Sequence, residues 1–397
     1  MSKEKVLFSL DFLRLSETSY KTRLLTFWNI LEYQLKLAIG NNVERFNPYN
    51  SGFNVGEFYK LAGVQQNEPL SWVGLYALKD VPGAAVQYFA KYLKAPLVIY
   101  YGAPKIVKAI HNKLNIPYIS FEPHPVRFLD DIFFYFQTNN EKIFNRIKKY
   151  QVDERLFYIQ AGLHKAMFAP QHVDVKPNSI LFAGQTNGDS SLYKDGKLLS
   201  IFDFEHRIKE FGEKYEKIYY KAHPYNKDLG KTISFLKQYP FVEFINESVY
   251  KLMSKENIAK VCAITSGVCY EAKYFGKNVE FLSTPHLNFN YSKDCIFDET
   301  ISLSVLNEFF DPHFWSDILQ DIIPTVPSPG FLIPHRANRI RAAIGGWWSI
   351  VEIDPTICLT DLKYGNLENE ILTLKRSRPY FKIKSKLQKL FRGKKYD

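Results

Sequence analysis

Four short segments of this sequence place polar and ionisable side chains directly after apolar runs that are typical of buried strands. In IYYKAHP, Lys221 and His223 follow such a run, and Pro224 stops the strand and fixes the turn. An ammonium and an imidazole both donate hydrogen bonds to oxyanions, and an imidazole can also transfer a proton. The segment is therefore suited to a departing phosphate, although a surface loop with incidental charges explains the same residues.

The second segment, VCAITSGVCYEAKYFG, predicts a strand followed directly by a helix. The hydroxyls of Thr265 and Ser266, with the unbonded amides of the first helical turn at Gly267, would form an anion site at the positive end of the helix dipole. Glu271 follows about one turn later, where a carboxylate can accept hydrogen bonds from ribose hydroxyls. An ordinary Ser/Thr N-cap is the simpler interpretation.

The remaining two segments also end strand-like runs. ILFAGQTNGDSSLY carries Gln185 and Asp189 in a glycine-containing loop, and its Asn-Gly-Asp is also common turn chemistry. YISFEPHPVR places Glu122 and His124 at the end of a strand, where a cap or an ion pair with Arg127 is the alternative. Ligands of open α/β sheets bind beyond the carboxyl ends of strands, so all four segments are candidates for one site.

The elements that would position these segments alternate between strand and helix patterns. Residues 97–101, 105–115 and 117–123 predict one β-α-β unit, and residues 23–39 predict a helix that Gly40 ends. In the second half, strand-like runs at 179–185, 217–224, 241–246, 261–267 and 279–284 alternate with helical segments at 203–216, 227–238 and 267–275. This alternation predicts parallel sheets covered on both faces.

The stretch 161–178 is rich in turn residues and has no clear period, so we expect a domain boundary near residue 175. The predicted fold class is α/β and GT-B-like, with two Rossmann-like domains facing a cleft and a C-terminal helical basic tail. The predicted domains are residues 1–174, 175–345 and 346–397. A fold of this kind does not by itself define a function.

Composition excludes several classes of protein. The chain has 397 residues, 46% of them hydrophobic, and a net charge of +11. The last 23 residues hold ten Lys and Arg against one Asp, so the body is nearly neutral and is not expected to wrap nucleic acid. Four cysteines without a CxxC pair suggest reduced thiols in the cytosol. We expect neither a signal peptide nor a membrane-spanning segment.

The C-terminal segment, residues 375–397, combines basic and apolar residues at helical spacing. One face would carry Tyr380, Ile383, Leu387, Leu390 and Phe391, with lysines and Arg392 around it. This pattern predicts a helix lying on an anionic membrane surface. A packing helix with a solvated basic face and a nucleic-acid tail are the alternatives.

Taken in order, the four segments resemble bacterial GT-B glycosyltransferases that use CMP-activated keto-sugars. The KxHP segment resembles the His-Pro motif that these enzymes share with bacterial sialyltransferases, and TSGVCYEAKYFGKNVEFL resembles the phosphate- and ribose-binding helix of capsule-synthesis glycosyltransferases. AGQTNGDSSL is similar to the DQTxGDxS-like loop of retaining β-Kdo transferases of capsule and O-antigen assembly. Position 184 is Gly where an acid is expected, so Asp189 becomes the candidate carboxylate of that loop.

The resemblance implies transfer of Kdo from CMP-Kdo to a lipid-linked or oligosaccharide acceptor by two displacements. Asp189 would be the nucleophile, Glu122 the base for the acceptor hydroxyl, and His223 the group that stabilises or protonates the departing phosphate. In an inverting enzyme Glu122 alone would act and Asp189 would be structural. The donor-binding residues so implied are Gln185, Lys221, Pro224, Thr265, Ser266, Gly267 and Glu271.

No cofactor or metal is expected, because a CMP-sugar already carries its leaving group and no metal-ligand spacing is present. The first domain would bind the acceptor and the second the donor, in a cytoplasmic enzyme attached peripherally to the inner face of the bacterial inner membrane. A CMP-sialic acid sialyltransferase and a CDP-glycerol-type transferase remain alternatives. A non-catalytic module that binds glycan or nucleic acid is the alternative of another class.

Overall fold

Two β-sheets with helices packed around them organise the chain. The computed structural model describes residues 5–66, 70–224, 226, 229–328 and 337–344. Its strands in chain order are β1 (Val6–Leu10), β2 (Val43–Arg45), β3 (Val98–Tyr101), β4 (Tyr118–Pro123), β5 (Phe134–Thr138), β6 (Ser179–Ala183), β7 (Tyr193–Lys194), β8 (Lys197–Leu198), β9 (Ile218–Lys221), β10 (Val242–Phe244), β11 (Ile258–Ala263), β12 (Asn278–Phe281), β13 (Asn288–Phe289) and β14 (Ile301–Val305).

The helices connect and cover these strands. In chain order they are α1 (Glu17–Ile39), α2 (Pro48–Ser51), α3 (Val55–Leu61), α4 (Ser71–Tyr76), α5 (Gly83–Tyr92), α6 (Lys105–Leu114), α7 (Glu141–Ile147), α8 (Arg155–Phe168), α9 (Glu205–Lys214), α10 (Gly230–Leu236), α11 (Val249–Met253), α12 (Gly267–Tyr274), α13 (Pro312–Leu319) and α14 (Arg339–Ile344). Short 3-10 helices occur at Lys148–Tyr150, Ser190–Leu192, Ile201–Phe204 and Glu308–Phe310.

The first sheet has the order β13-β14-β5-β4-β3-β1-β2. Strands β1 to β4 are parallel, whereas β5 is antiparallel to both β4 and β14. Its core is aromatic: the Phe8 ring lies 5.8 Å from that of Trp28 on α1 and 6.4 Å from that of Phe121 on β4. The long helix α1 begins at the Ser16 cap and ends at Gly40, whose φ of 67° suits glycine.

The second sheet is entirely parallel, with the order β10-β9-β6-β11-β12. Its first strand in sequence, β6, is central, and the chain then adds strands on both sides, as in a Rossmann fold. The carboxyl ends of β6 and β9 are level, because Ala183 pairs with Lys221. The predicted α/β class is confirmed: the second sheet is parallel throughout, and the first sheet is parallel except for the pairings of β5.

Two segments differ from the sequence-based expectation. Residues 161–168 belong to α8 rather than to a linker. Its helical period is obscured because Ile159 and Leu163 are both 60% exposed on a helix that buries only Phe157, Ala161 and Phe168. Strand β14 lies within the range expected for the second domain, yet it pairs with β5 of the first sheet.

Both sheets belong to one compact unit, Met1–Ile344. Within the described ranges no helix is long and apolar enough to cross a membrane. The predicted basic tail, residues 375–397, lies outside the described residues, so its contact with a membrane stays a prediction.

Candidate active site

Three of the residues predicted to carry the chemistry meet at the carboxyl edge of the second sheet. The loop that carries Asp189 follows β6. Lys221 ends β9, and His223 lies two residues later. The Lys221 carbonyl accepts a hydrogen bond from the Gly184 amide at 2.8 Å. His223 is half-buried, and burial lowers its pKa. The negative charge of Asp189 opposes this effect and the positive charge of Lys221 adds to it. Asp189, Lys221 and His223 therefore form one electrostatic group. Pro224 follows at the exposed end of the turn.

Position 184 is glycine for a steric reason. A Cβ atom there would lie 2.6 Å from the Tyr220 hydroxyl and 3.1 Å from the Lys221 carbonyl. An acidic side chain at this position would displace β9. In this fold, the carboxylate of the loop is therefore Asp189, whose Oδ1 accepts a hydrogen bond from the Ser191 amide at 2.9 Å.

Gln185 and Thr265 hold two loops of the second sheet together. The Thr265 amide donates to Gln185 Oε1 at 2.8 Å, and Gln185 Nε2 donates to Thr265 Oγ1 at 3.0 Å. The Thr265 hydroxyl in turn donates to the Ser191 carbonyl at 3.1 Å, and Asn226 Nδ2 donates to the Gln185 carbonyl at 3.3 Å. These contacts join the loop that carries Asp189 to Thr265, which lies after β11, and to Asn226, which lies after β9. Contact of Gln185 or Thr265 with a donor stays a prediction.

The start of α12 faces the loop that follows β4 in the first sheet. Ser266 caps the helix, its Oγ accepting from the Val268 amide at 3.4 Å. A Cβ atom on Gly267 would lie 3.1 Å from Pro125 Cβ, so the absence of a side chain permits this close approach. The structure thus shows the simple cap; phosphate binding at Ser266 and Gly267 stays a prediction.

Glu271 lies in the interior rather than at the surface of a cleft. Its side chain is 2% exposed, and its Oε1 accepts from the Arg127 amide at 2.6 Å and from the Tyr250 hydroxyl at 2.9 Å. Burial raises its pKa to about 7, although Arg127 and Tyr250 act in the opposite direction. These contacts fasten α12 to the loop after β4. Binding of ribose by Glu271 remains a prediction that the observed contacts do not require.

Glu122 is the penultimate residue of β4 and is half-buried beside the backbone turn at Gly102. Burial raises its pKa, while the charge of Lys108 and a hydrogen bond from the Tyr135 hydroxyl lower it. The net shift is upward, so this carboxyl group holds a proton more readily than an exposed glutamate. A raised pKa suits a general base that works near neutral pH.

His124 has a structural role. Its Nδ1 accepts from the Val126 amide at 3.0 Å, so the neutral ring carries its proton on Nε2, which donates to the Tyr291 hydroxyl at 3.0 Å. Burial and the charge of Arg127 hold its pKa well below the usual range. The ring also stacks on Phe133, with centroids 4.4 Å apart.

The sequence reasoning missed a group of polar residues after β1. Asp11 is buried, and its Oδ2 lies 3.3 Å from Arg14 Nε and accepts from the Tyr76 hydroxyl at 3.1 Å. Burial works to lower the pKa of Arg14, but Asp11, Tyr76, Glu122 and Asp189 act together to raise it. Arg14 thus lies within electrostatic reach of both candidate carboxylates. The sequence does contain a signal for this group: Asp11 and Arg14 follow the apolar run VLFSL, just as the other candidate residues follow their own apolar runs.

Two cavities adjoin these elements. One of about 110 Å³ lies at the end of β6, lined among others by Gly184, Gln185, Tyr220 and Asn226. A larger cleft of about 1280 Å³ lies between α8, α12 and the segment before β14; His124 lines it, but none of the predicted catalytic or donor-binding residues does. In the part of the chain that the structure describes, no group of three metal-ligating side chains is found.

The fold of this chain is similar to several solved structures. No protein-family model and no curated protein matches the chain. Among solved structures, the β-Kdo 2,7 transferase of Thermosulfurimonas dismutans KpsC is 13% identical, with 69% of this chain and 78% of that chain covered and a TM-score of 0.35. The β-Kdo 2,4 transferase of the same protein is 12% identical, with 70% and 79% covered and a TM-score of 0.36.

A UDP-GlcNAc 2-epimerase from Methanocaldococcus jannaschii is also similar, at 12% identity over 69% of this chain and 83% of that chain, with a TM-score of 0.27. TM-scores this low carry no argument about activity. The α/β fold of this chain is established by its own two sheets.

Proposed function

We propose that this protein is a glycosyltransferase that moves Kdo, a keto-sugar acid, from CMP-Kdo to a glycan acceptor of bacterial surface polysaccharide. The observation that carries the proposal is the grouping of Asp189, Lys221 and His223 at the carboxyl edge of one Rossmann-like sheet. The motif resemblance described above supplies the donor class. Glu122 and Asp189 both act electrostatically on Arg14, which supports the assignment of Glu122 as a second carboxylate of the same site.

The proposed reaction has two displacements. In the first, an Asp189 oxygen bonds to the anomeric carbon while the bond from that carbon to the CMP phosphate oxygen breaks. Lys221 and His223 stabilise the charge that develops on the departing phosphate. In the second, Glu122 takes the proton of the acceptor hydroxyl, whose oxygen displaces Asp189. Two inversions leave the configuration retained.

The donor would lie along the loops of the second sheet. In the proposal, Thr265, Ser266 and Gly267 hold the phosphate, Gln185 and Pro224 border the sugar, and Glu271 contacts the ribose. Of these, Ser266 and Gly267 are half-buried at the start of α12 and so are accessible to a ligand in the observed structure. The reaction needs no metal, so activity should persist in a chelator.

The decisive experiment follows the covalent intermediate. Wild type, Asp189→Asn, His223→Ala and the exposed control Asp174→Asn are incubated with CMP-Kdo, and intact mass and CMP release are measured. We expect a sugar adduct on wild type and on the control, located on Asp189 by peptide mapping. We also expect its loss in Asp189→Asn and a drop in CMP release of at least about 100-fold in Asp189→Asn and His223→Ala. Full activity without an adduct in Asp189→Asn would exclude double displacement through this residue.

The same assay separates the alternatives. CMP release from CMP-sialic acid but not from CMP-Kdo would identify a sialyltransferase, and turnover of CDP-glycerol alone would identify a polyol-phosphate transferase. A protein that releases no nucleotide from any of the three, yet binds oligosaccharide, would be a non-catalytic module.

A further inference from the structure

Arg14 lies in the loop after β1 and forms an ion pair with Asp11. Asp11 Oδ1 accepts hydrogen bonds from the Leu13 and Arg14 amides at 3.1 and 3.2 Å, which folds the loop back on itself. Asp11 Oδ2 lies 3.3 Å from Arg14 Nε. This ion pair engages only one edge of the guanidinium group. Within the described ranges its two Nη groups make no hydrogen bond, and 28% of the side chain is exposed.

Aromatic side chains form the walls around this guanidinium group. The ring of Trp72 lies 5.7 Å from its central carbon. Tyr76, which donates to Asp11, packs edge-on against Tyr193 with ring centroids 5.7 Å apart. Tyr193 follows the Asp189 loop of the second sheet. This contact explains how a residue of the first sheet comes within electrostatic reach of Asp189.

The charges around Arg14 match one feature of the proposed donor. In a 2-keto-sugar acid, a carboxylate is bonded directly to the anomeric carbon, so it must accompany that carbon to Asp189. Asp189 and the acceptor base Glu122 would then surround a third negative charge. Arg14 acts electrostatically on both carboxylates, whereas Lys108 acts on Glu122, and Lys221 lies in the group of Asp189.

We propose that Arg14 forms a subsite for the carboxylate of the keto-sugar acid, bound through its two Nη groups. This inference rests on the proposed function and deepens it. A guanidinium group recognises a carboxylate with two parallel hydrogen bonds, which a lysine cannot reproduce. A neutral sugar would leave the guanidinium group without this partner, so the subsite selects sugar acids over neutral sugars.

The test compares ligands with and without the carboxylate. Wild type, Arg14→Gln, Arg14→Lys and the control Arg45→Gln are titrated calorimetrically with CMP, CMP-Kdo and CMP-sialic acid, and CMP-Kdo turnover is measured. Arg45 is matched because it lies at the end of the first-sheet strand β2 and, like Arg14, has its guanidinium carbon 5.7 Å from a tryptophan ring. We expect Arg14→Gln to weaken binding of CMP-Kdo about tenfold or more while CMP affinity stays unchanged. Arg14→Lys should recover part of the loss, and Arg45→Gln should behave as wild type.

Each other outcome has a distinct meaning. Equal weakening of CMP and CMP-Kdo, or a fall in kcat with unchanged CMP-Kdo affinity, would show that Arg14 acts on the loops rather than on the sugar and would overturn the subsite alone. Unchanged CMP affinity in Arg14→Gln also shows that the variant is folded. If wild type binds neither CMP-sugar, the proposed function and the subsite fail together.

Discussion

The acid–base chemistry of His223 depends on its neighbours. Burial and Lys221 lower its pKa, so without a ligand its imidazole is mainly neutral at neutral pH. A phosphate dianion placed beside the ring would favour the imidazolium form and raise the pKa. A histidine that gains a proton as the nucleotide binds is ready to stabilise, or to protonate, the phosphate that leaves.

This behaviour predicts that CMP binding takes up a proton. The affinity of wild type for CMP should rise as the pH falls from about 8 to about 6. Over this range His223, whose pKa is lowered in the free protein, becomes protonated in the complex. Calorimetry in buffers of different ionisation enthalpy measures the uptake. His223→Gln should remove it and leave only the titration of CMP itself. The same uptake in the variant would assign the proton to another group.

At the scale of the elements, the close approach of β6 and β9 sets the position of the loop that carries Asp189. Gly184 is where the chain leaves β6, and the absent side chain lets Tyr220 and the Lys221 carbonyl lie against the backbone. Asp189 comes within electrostatic reach of His223 because these two strands end level and close together. The glycine at position 184 is accounted for by this packing.

Gly184→Ala should accordingly destabilise the protein by about 1 to 3 kcal/mol, because the added Cβ would overlap Tyr220 and push β9 away. Chemical denaturation measures the change. Gly162→Ala in α8 is the matched control, since its Cβ would meet no atom within 4 Å, and it should be neutral or stabilising by up to about 1 kcal/mol. In a Tyr220→Phe background the cost of Gly184→Ala should shrink. An equal cost in both backgrounds would remove the steric explanation.

For the molecule as a whole, Glu271 and Gly267 join the two sheets. Gly267 packs on Pro125, and Glu271 bonds the Arg127 amide, so α12 of the second sheet holds the loop that follows Glu122. The relative position of the two candidate carboxylates, Glu122 and Asp189, thus depends on the buried acid Glu271.

The pKa of Glu271 makes this link sensitive to pH. The carboxyl group has a pKa of 4.5 when unfolded and about 7 when folded, so the folded state binds more protons between these values. Its contribution to stability is complete below about pH 4.5 and is lost as the pH rises through 7. Glu271→Gln keeps the acceptor oxygen without the charge. Its stability relative to wild type should increase by roughly 3 kcal/mol from pH 4.5 to 8, measured by denaturation at each pH. A constant difference would contradict the burial of an ionisable group.

The membrane contact proposed for the basic C-terminal segment, residues 375–397, also concerns the whole molecule and is inferred from the sequence. A chain that ends at residue 374 should lose co-sedimentation with vesicles containing anionic lipid, because ten basic residues and the apolar stripe are removed. Neutral vesicles serve as the control for charge. Equal sedimentation of the shortened and full-length proteins would place the membrane contact elsewhere.

The local sequence by itself determined the elements and the loop residues. Apolar runs, Pro224 and the glycine-rich turn after β6 are enough to predict strands that end in polar loops, because backbone preferences act over a few residues. The parallel order then follows from the alternation with helices. Asp189, Lys221 and His223 are therefore recognisable as candidates from their places in the sequence.

Only the tertiary structure decided which polar groups share a site and which are buried. Glu122 and His124 stand two positions apart, yet one lies beside Lys108 and Arg14 while the other is enclosed by aromatic rings. Arg14 reaches Asp189 across 175 positions of sequence. Burial and electrostatic neighbours depend on contacts between distant segments, and no local pattern of residues encodes them.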